Sequence, residues 1–268
     1  MNVPERIAKL RSLMEEKGID IYVVPTADFH QSEYVGEHFK ARKFIQGSPD
    51  LPEPLSSQKT GAYLWTDGRY FIQAAKQLEG STVELMKMGE PGVPTIHEFL
   101  VDTLPENGVL GFDGRVVSMG EGQDYASIAA QKNGKVIYEY DLIDQIWEDR
   151  PVLSEEPVFA LNLKYTGETV ASKLSRIREE MKKAGATAHV LTTLDDICWT
   201  LNIRGNDIEF FPLVLSYAVI TMDKVDLYIN EAKLNSEIKA DLEKDGVVLH
   251  PYNDIYEDIK KQPQMKFC

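Results

Sequence analysis

Asp195, Asp196, Arg204, Asp207 and Glu209 share one stretch, residues 191–221, LTTLDDICWTLNIRGNDIEFFPLVLSYAVIT, whose polar half runs straight into the most apolar segment of the chain. Two chemistries suit four carboxylates and a guanidinium at this spacing. If the carboxylates converge from separate elements and leave a position for water, they could hold a hydrolytic metal ion, with Arg204 as an anion clamp. If Asp195 and Asp196 instead begin a short helix, they favour its macrodipole and satisfy free amides. Arg204-Gly205-Asn206-Asp207 is then a turn that aims the strand at 213–220.

The remaining ligand-type residues do not strengthen the metal reading. His30, His38, His97, His189 and His250 are scattered with no His-x-x-x-His pair, and His97-Glu98 lacks the second histidine of a zinc helix. His189 falls within an apolar strand-like run, where a histidine commonly finds one polar partner and stops. The two cysteines, Cys198 and Cys268, assemble neither a disulfide framework nor a thiolate zinc site, and Cys198 reads as a small core residue. Glycine-rich phosphate loops and nucleophile elbows are missing. Spacing therefore supports no catalytic constellation, and it favours helix-start chemistry for Asp195 and Asp196.

The elements around these residues follow from periodicity and caps. Asn2 with Glu5 forms a capping box for a helix whose apolar face is Ile7, Leu10, Leu13 and Met14, and Gly18 ends it. Residues 19–24 form a continuous apolar run of strand length, which predicts a strand covered on both faces. Strands are predicted at 62–66, 83–88, 109–112 and 136–140, with helices started by Thr95/Glu98 and Ser118/Glu121. Residues 47–61 break the pattern. Pro49, Pro52 and Pro54 remove donors and fix the backbone, so this segment reads as a loop in which neither helix nor central strand forms.

Residues 148–157, EDRPVLSEEP, read as linker, which suggests domains at 1–150 and 158–268 joined by 151–157. The second half repeats the first. Setting 7–28 on 174–195 without a gap aligns Arg11 with Arg178, Met14 with Met181, Gly18 with Gly185, Val23 with Val190, Thr26 with Thr193 and Asp28 with Asp195. Two similarly folded α/β domains are expected from that match. Residues 213–220 and 225–229 read as a hairpin, followed by a helix stopped at Gly246 and a last strand and helix. QPQMKFC then ends without a cap, as if interrupted.

At 268 residues and 43% hydrophobic content the chain is long enough for one large or two ordinary folded domains. A formal charge of −14 repels phosphate backbones and anionic lipid, so nucleic acid and membrane surfaces are poor partners. No apolar run reaches bilayer length and the first residues form an amphipathic helix, which predicts a cytoplasmic protein.

Five motifs in order carry a resemblance: GIDIYVVPTAD at 18–28, LWTDGRYF at 64–71, DQIWEDRP at 144–151, KYTG at 164–167 and LDDICWTLNIRGNDIEFFP at 194–212. In them the chain resembles the three-domain Xaa-Pro aminopeptidases, or aminopeptidase P, of the creatinase and prolidase superfamily. The resemblance implies an α/β fold of two tandem ribonuclease H-like domains, each a mixed sheet flanked by helices, and homodimerisation. It also implies a metal-dependent exopeptidase that releases the N-terminal residue preceding proline. In that family the paired manganese ions are held by aspartates, a histidine and glutamates of a C-terminal pita-bread domain that this chain is expected to lack. No catalytic, metal or cofactor residue is carried over, and the chain alone is expected not to hydrolyse peptides. The signature residues Trp65, Asp67, Gly68, Arg69, Asp195, Arg204 and Gly205 are expected to be structural.

One segment departs from the pattern. After Phe44-Ile45 relatives carry a stretch resembling GFTGSAGTAVIT, where this chain has GSPDLPEPLSSQKTG at 47–61. A codon choice exists in which one inserted T converts the second into the first, so a local frameshift, restored before Ala62, is the hypothesis. It fails if the gene's codons are incompatible with the shifted frame. The shift is expected to cost the first domain a strand. Two other readings stay open: a free-standing binding module using an apolar patch at Phe210, Phe211 and Leu213, and an independent hydrolase using Asp195, Asp196, Asp207 and Glu209.

Overall fold

The computed structural model describes residues 1–47, 55–58, 61–261 and 266, so Cys268 and most of the QPQMKFC ending lie outside the described residues. The chain divides into two units, 1–152 and 153–268.

The first unit opens with α1 (Val3–Lys17). Its capping box is made: Asn2 Oδ1 accepts from Glu5 N and Glu5 Oε2 accepts from Asn2 N, both at 2.9 Å. Gly18 takes φ 66 at the C-terminus, the left-handed conformation that glycine adopts without strain. Then follow β1 (Ile21–Val24), α2 (Ala41–Gln46), β2 (Leu55–Gln58), β3 (Ala62–Thr66), α3 (Phe71–Gln77), β4 (Glu84–Lys87) and α4 (Ile96–Thr103). The unit closes with β5 (Val109–Phe112), α5 (Met119–Gln131) and β6 (Lys135–Ile137). Both predicted capping boxes, Thr95/Glu98 and Ser118/Glu121, are present.

These strands form one mixed sheet in the order β4-β3-β2-β1-β5-β6. All four residues of β1 are buried, as expected of an apolar run with no polar alternation. Tyr22 and Val24 face a core built with Ile7, Leu10 and Met14 of α1; Ile21 and Val23 face a second core with Leu100 of α4 and Ile128 of α5.

The loop expectation for 47–61 is corrected at its centre. Residues 55–58 form β2, antiparallel to both β1 and β3, so the unit keeps the strand it was expected to lose. The three prolines all precede Leu55, and two partner strands offer ladder bonds to whatever lies between them. Residues 48–54 and 59–60 lie outside the described residues.

The second unit contains β7 (Phe159–Ala160), α6 (Leu163–Thr166), α7 (Val170–Ala184), β8 (Ala188–Leu191), α8 (Leu194–Thr200), β9 (Ile203–Arg204) and β10 (Ser216–Thr221). It continues through β11 (Val225–Ile229), α9 (Ser236–Lys244), β12 (Val247–His250) and α10 (Ile255–Lys260). Its main sheet runs β12-β11-β10-β8, and β7 pairs with β9 separately. Strand directions repeat those of the first unit: β1–β2 and β8–β10 are antiparallel, β2–β3 and β10–β11 are antiparallel, β3–β4 and β11–β12 are parallel. Even a helix tether recurs. Arg11 Nε donates to Gln58 O at 2.8 Å, and its counterpart Arg178 Nε donates to Thr221 O at 2.8 Å.

Candidate functional site

The carboxylates of 191–221 do not converge. Thr193 stands at the N-cap of α8 without a side-chain capping bond, and Asp195 and Asp196 lie exposed in the first turn. They favour the helix dipole there but satisfy no end amide through a recorded cap, which narrows the sequence expectation to electrostatics. The aligned Asp28 behaves differently: it is fully buried and accepts from His30 N at 2.8 Å and Ser32 N at 2.9 Å. The two halves therefore match through helix, stop and strand and diverge at the aspartate.

Arg204 turns back onto α8. Its Nη1 donates to Cys198 O at 2.7 Å and Ile203 O at 2.8 Å, so it caps a helix-end carbonyl instead of clamping an anion. Lys173 of α7 serves the same end from the other side, donating to Trp199 O at 2.6 Å and Asn202 Oδ1 at 2.7 Å with its ammonium 4.2 Å from the Trp199 ring. Desolvation pulls the Lys173 pKa down. Cys198 is buried beneath this helix, and burial pushes its thiol up to about 11, which leaves it unreactive at neutral pH.

Asp207 is the organising acid. It accepts from Leu215 N at 2.6 Å and forms an ion pair with Lys233, the two side chains being 0% and 1% exposed. The pair fastens the loop 205–213 to the segment after β11. Gly205 is required at the start of this loop, because a Cβ would stand 2.8 Å from Val214 Cγ2. Glu209 is exposed, and Phe210 is 90% exposed with φ 67.

The other signature residues are also placed by packing and turn bonds. Trp65 is buried in β3, donates from Nε1 to Pro94 O at 2.8 Å and meets the Phe99 ring edge-on at 5.0 Å. Asp67 accepts from Arg69 N at 2.9 Å and pairs with Arg69 Nη2 at 2.7 Å, closing the turn that holds Gly68. The Arg69 guanidinium, through these hydrogen bonds, lowers the Asp67 pKa. From DQIWEDRP, Arg150 Nη1 pairs with Asp141 at 2.5 Å and Asp144 at 3.0 Å, while Trp147 stacks on Phe44 at 4.7 Å.

Sequence reasoning missed Lys173 and Lys233. A buried lysine carries no periodic signal; the usable hint was an aspartate, Asp207, placed just before an apolar strand where a lone charge would need a partner. A cleft of about 320 Å³ lies beside this pair, lined by Leu153, Leu215, Ile229, Lys233 and Tyr252 among others. Among the described residues no group of three or more His, Cys, Asp or Glu side chains is placed to hold a metal ion.

Comparison with known proteins gives a consistent result. Residues 6–138 and 149–267 each match a family model described as Creatinase/Prolidase N-terminal domain. The chain is 38% identical to Aminopeptidase P2 of Arabidopsis thaliana over 262 residues, covering 96% of this chain and 37% of that protein. It is 40% identical over 264 residues to a probable Xaa-Pro aminopeptidase P of Neurospora crassa, covering 97% and 38%. Among solved structures, the X-prolyl aminopeptidase of Caenorhabditis elegans, described as a cytosolic enzyme with a di-nuclear active site, matches with a TM-score of 0.92 and 35% identity. That match covers 97% of this chain and 44% of the C. elegans chain. The chain thus spans 37% to 44% of the length of these relatives and corresponds to their N-terminal part.

Proposed function

Because the chain belongs to the creatinase/prolidase N-terminal family, we propose that it is the N-terminal, non-catalytic part of a cytoplasmic Xaa-Pro aminopeptidase. In this reading it shapes the substrate entrance and supports homodimer contacts. A separate catalytic part carries the metal pair and cleaves peptides with proline at the second position. The observation that carries the reading is the fit over nearly the whole chain to less than half of an X-prolyl aminopeptidase. The engagement of Arg204 and Asp207 in capping and in a buried ion pair supports a scaffold role for the stretch that looked most like a site.

The test is a chimera in which this chain replaces the matching N-terminal part of the C. elegans enzyme. The chimera is expected to release the residue before proline, and the isolated chain with manganese is expected not to. Cleavage of an Xaa-Pro peptide by the isolated chain overturns the reading. A second reading, a free-standing assembly module, draws on the 90% exposure of Phe210. A monomer in solution with no partner captured on Phe210 removes it.

A further inference from the structure

Two Asn-Gly pairs meet at one corner of the first unit. Asn107-Gly108 leads into β5, and Asn133-Gly134 joins α5 to β6. Both asparagines are exposed and left-handed, with φ 59 and φ 52, a conformation that asparagine enters more readily than most side chains. The glycines are fixed by packing. A Cβ on Gly134 would stand 2.1 Å from Gly108 O, and one on Gly108 would stand 2.7 Å from Pro105 O. The corner therefore demands glycine after each asparagine. With no Cβ to obstruct the approach, a glycine nitrogen reaches the side-chain amide before it more easily than that of any other residue.

The two glycine nitrogens are not held alike. Gly134 N donates to Ala129 O at 2.8 Å and Asn133 N to Ala130 O at 3.1 Å, the paired bonds of a Schellman helix end. The Asn133 side chain is tethered as well, its Nδ2 donating to Glu106 Oε1 at 2.5 Å. Gly108 N is held within the turn 105–108, donating to Pro105 O at 2.9 Å, and the exposed Asn107 side chain has no such tether among the described residues. Freeing Gly108 N takes the opening of a turn, whereas freeing Gly134 N takes the unwinding of a helix end.

We propose that Asn107 is a site of spontaneous deamidation in the folded protein, and that its twin Asn133 is shielded from the same reaction. When the turn opens, Gly108 N attacks Asn107 Cγ. A C–N bond forms, the Cγ–Nδ2 bond breaks, and ammonia leaves with the Gly108 amide proton, giving a succinimide. Water then opens the ring at either carbonyl and the new acid loses a proton to solvent, leaving aspartate or isoaspartate with no change of oxidation state. Isoaspartate adds a carbon to the main chain between Asn107 N, which donates to Lys132 O at 2.6 Å, and Gly108 O, which accepts from Lys135 N at 3.1 Å. The two bonds no longer fit together, so the modification loosens the start of β6. The inference is independent of the peptidase reading.

The test incubates the 268-residue chain at pH 8 with and without urea and follows both peptides by mass spectrometry, where deamidation adds about 1 Da. Without urea, Asn107 is expected to convert at least about tenfold faster than Asn133, and in urea the two are expected to convert at similar rates. In the isoaspartate-containing fraction the Lys135 amide is expected to exchange with solvent at least about tenfold faster than in the unmodified chain, with β1 unchanged. Three outcomes overturn the proposal: Asn107 that stays intact in the folded chain, Asn133 that converts there as fast as Asn107, or a Lys135 amide that exchanges no faster after conversion.

Discussion

Lys233 and Asp207 show why a sparse acidic motif is not by itself a site. Both side chains are withdrawn from solvent, so each charge depends on the other, and Asp207 holds the Leu215 amide as well. Removing one partner of such a pair strands a buried charge, at a cost of roughly 3–5 kcal/mol, whereas replacing both with uncharged side chains restores much of it. Lys233→Ala is expected to lower stability by about that amount, and Lys233→Met combined with Asp207→Asn to recover more than half, read from urea unfolding midpoints. Cys198 offers a chemical probe of the same unit. Its thiol is raised from 9.0 to about 11 by burial, so at pH 8 on the order of one molecule in a thousand is thiolate. Iodoacetamide is expected to leave Cys198 unmodified in the folded chain at pH 8 and to label it on unfolding. By linkage, the raised value contributes stability that is complete below pH 9 and is lost as pH rises through about 11.

Elements were legible where apolar period and caps agreed. The helix boundaries set by Asn2/Glu5, Thr95/Glu98 and Ser118/Glu121, and the all-buried β1, follow from side chains whose local chemistry and tertiary setting point the same way. The repeat was readable for a related reason: Arg11 and Arg178 do the same work on equivalent strands. β2 was not legible, because residues 55–58 read LSSQ after a run of prolines and only the flanking strands make them a strand. The misfit persists in the structure. Ser56 and Ser57 are both fully buried, and neither hydroxyl has a hydrogen-bond partner among the described residues. Neighbouring strand residues point to opposite faces, so each serine spoils a different core. The shifted frame places valine and isoleucine at these positions. Ser56→Val and Ser57→Ile are each expected to stabilise the chain by about 1 kcal/mol, from relief of an orphaned hydroxyl and added apolar burial, with the gain read as a higher urea midpoint. Unchanged or lower midpoints would show that the slots are already filled.

At the scale of the whole chain, each unit owns its hydrophobic clusters: Ile7, Leu10 and Tyr22 belong to the first, and Leu174, Ile197 and Ala218 to the second. A unit with its own core is able to fold alone. Residues 1–152 expressed by themselves are expected to give a cooperative thermal transition and the near-ultraviolet signal of a packed Trp65; a featureless melt would show that the first core needs the second unit. The strand order of that unit also sets a timetable. β1 is completed by β5, about ninety residues later, and ribosomes add roughly 5–20 residues per second. For about 5–20 s of each synthesis, a strand that ends with all four residues buried waits with one flank unguarded, a window in which nascent chains on one messenger meet one another and a chaperone has the most to protect.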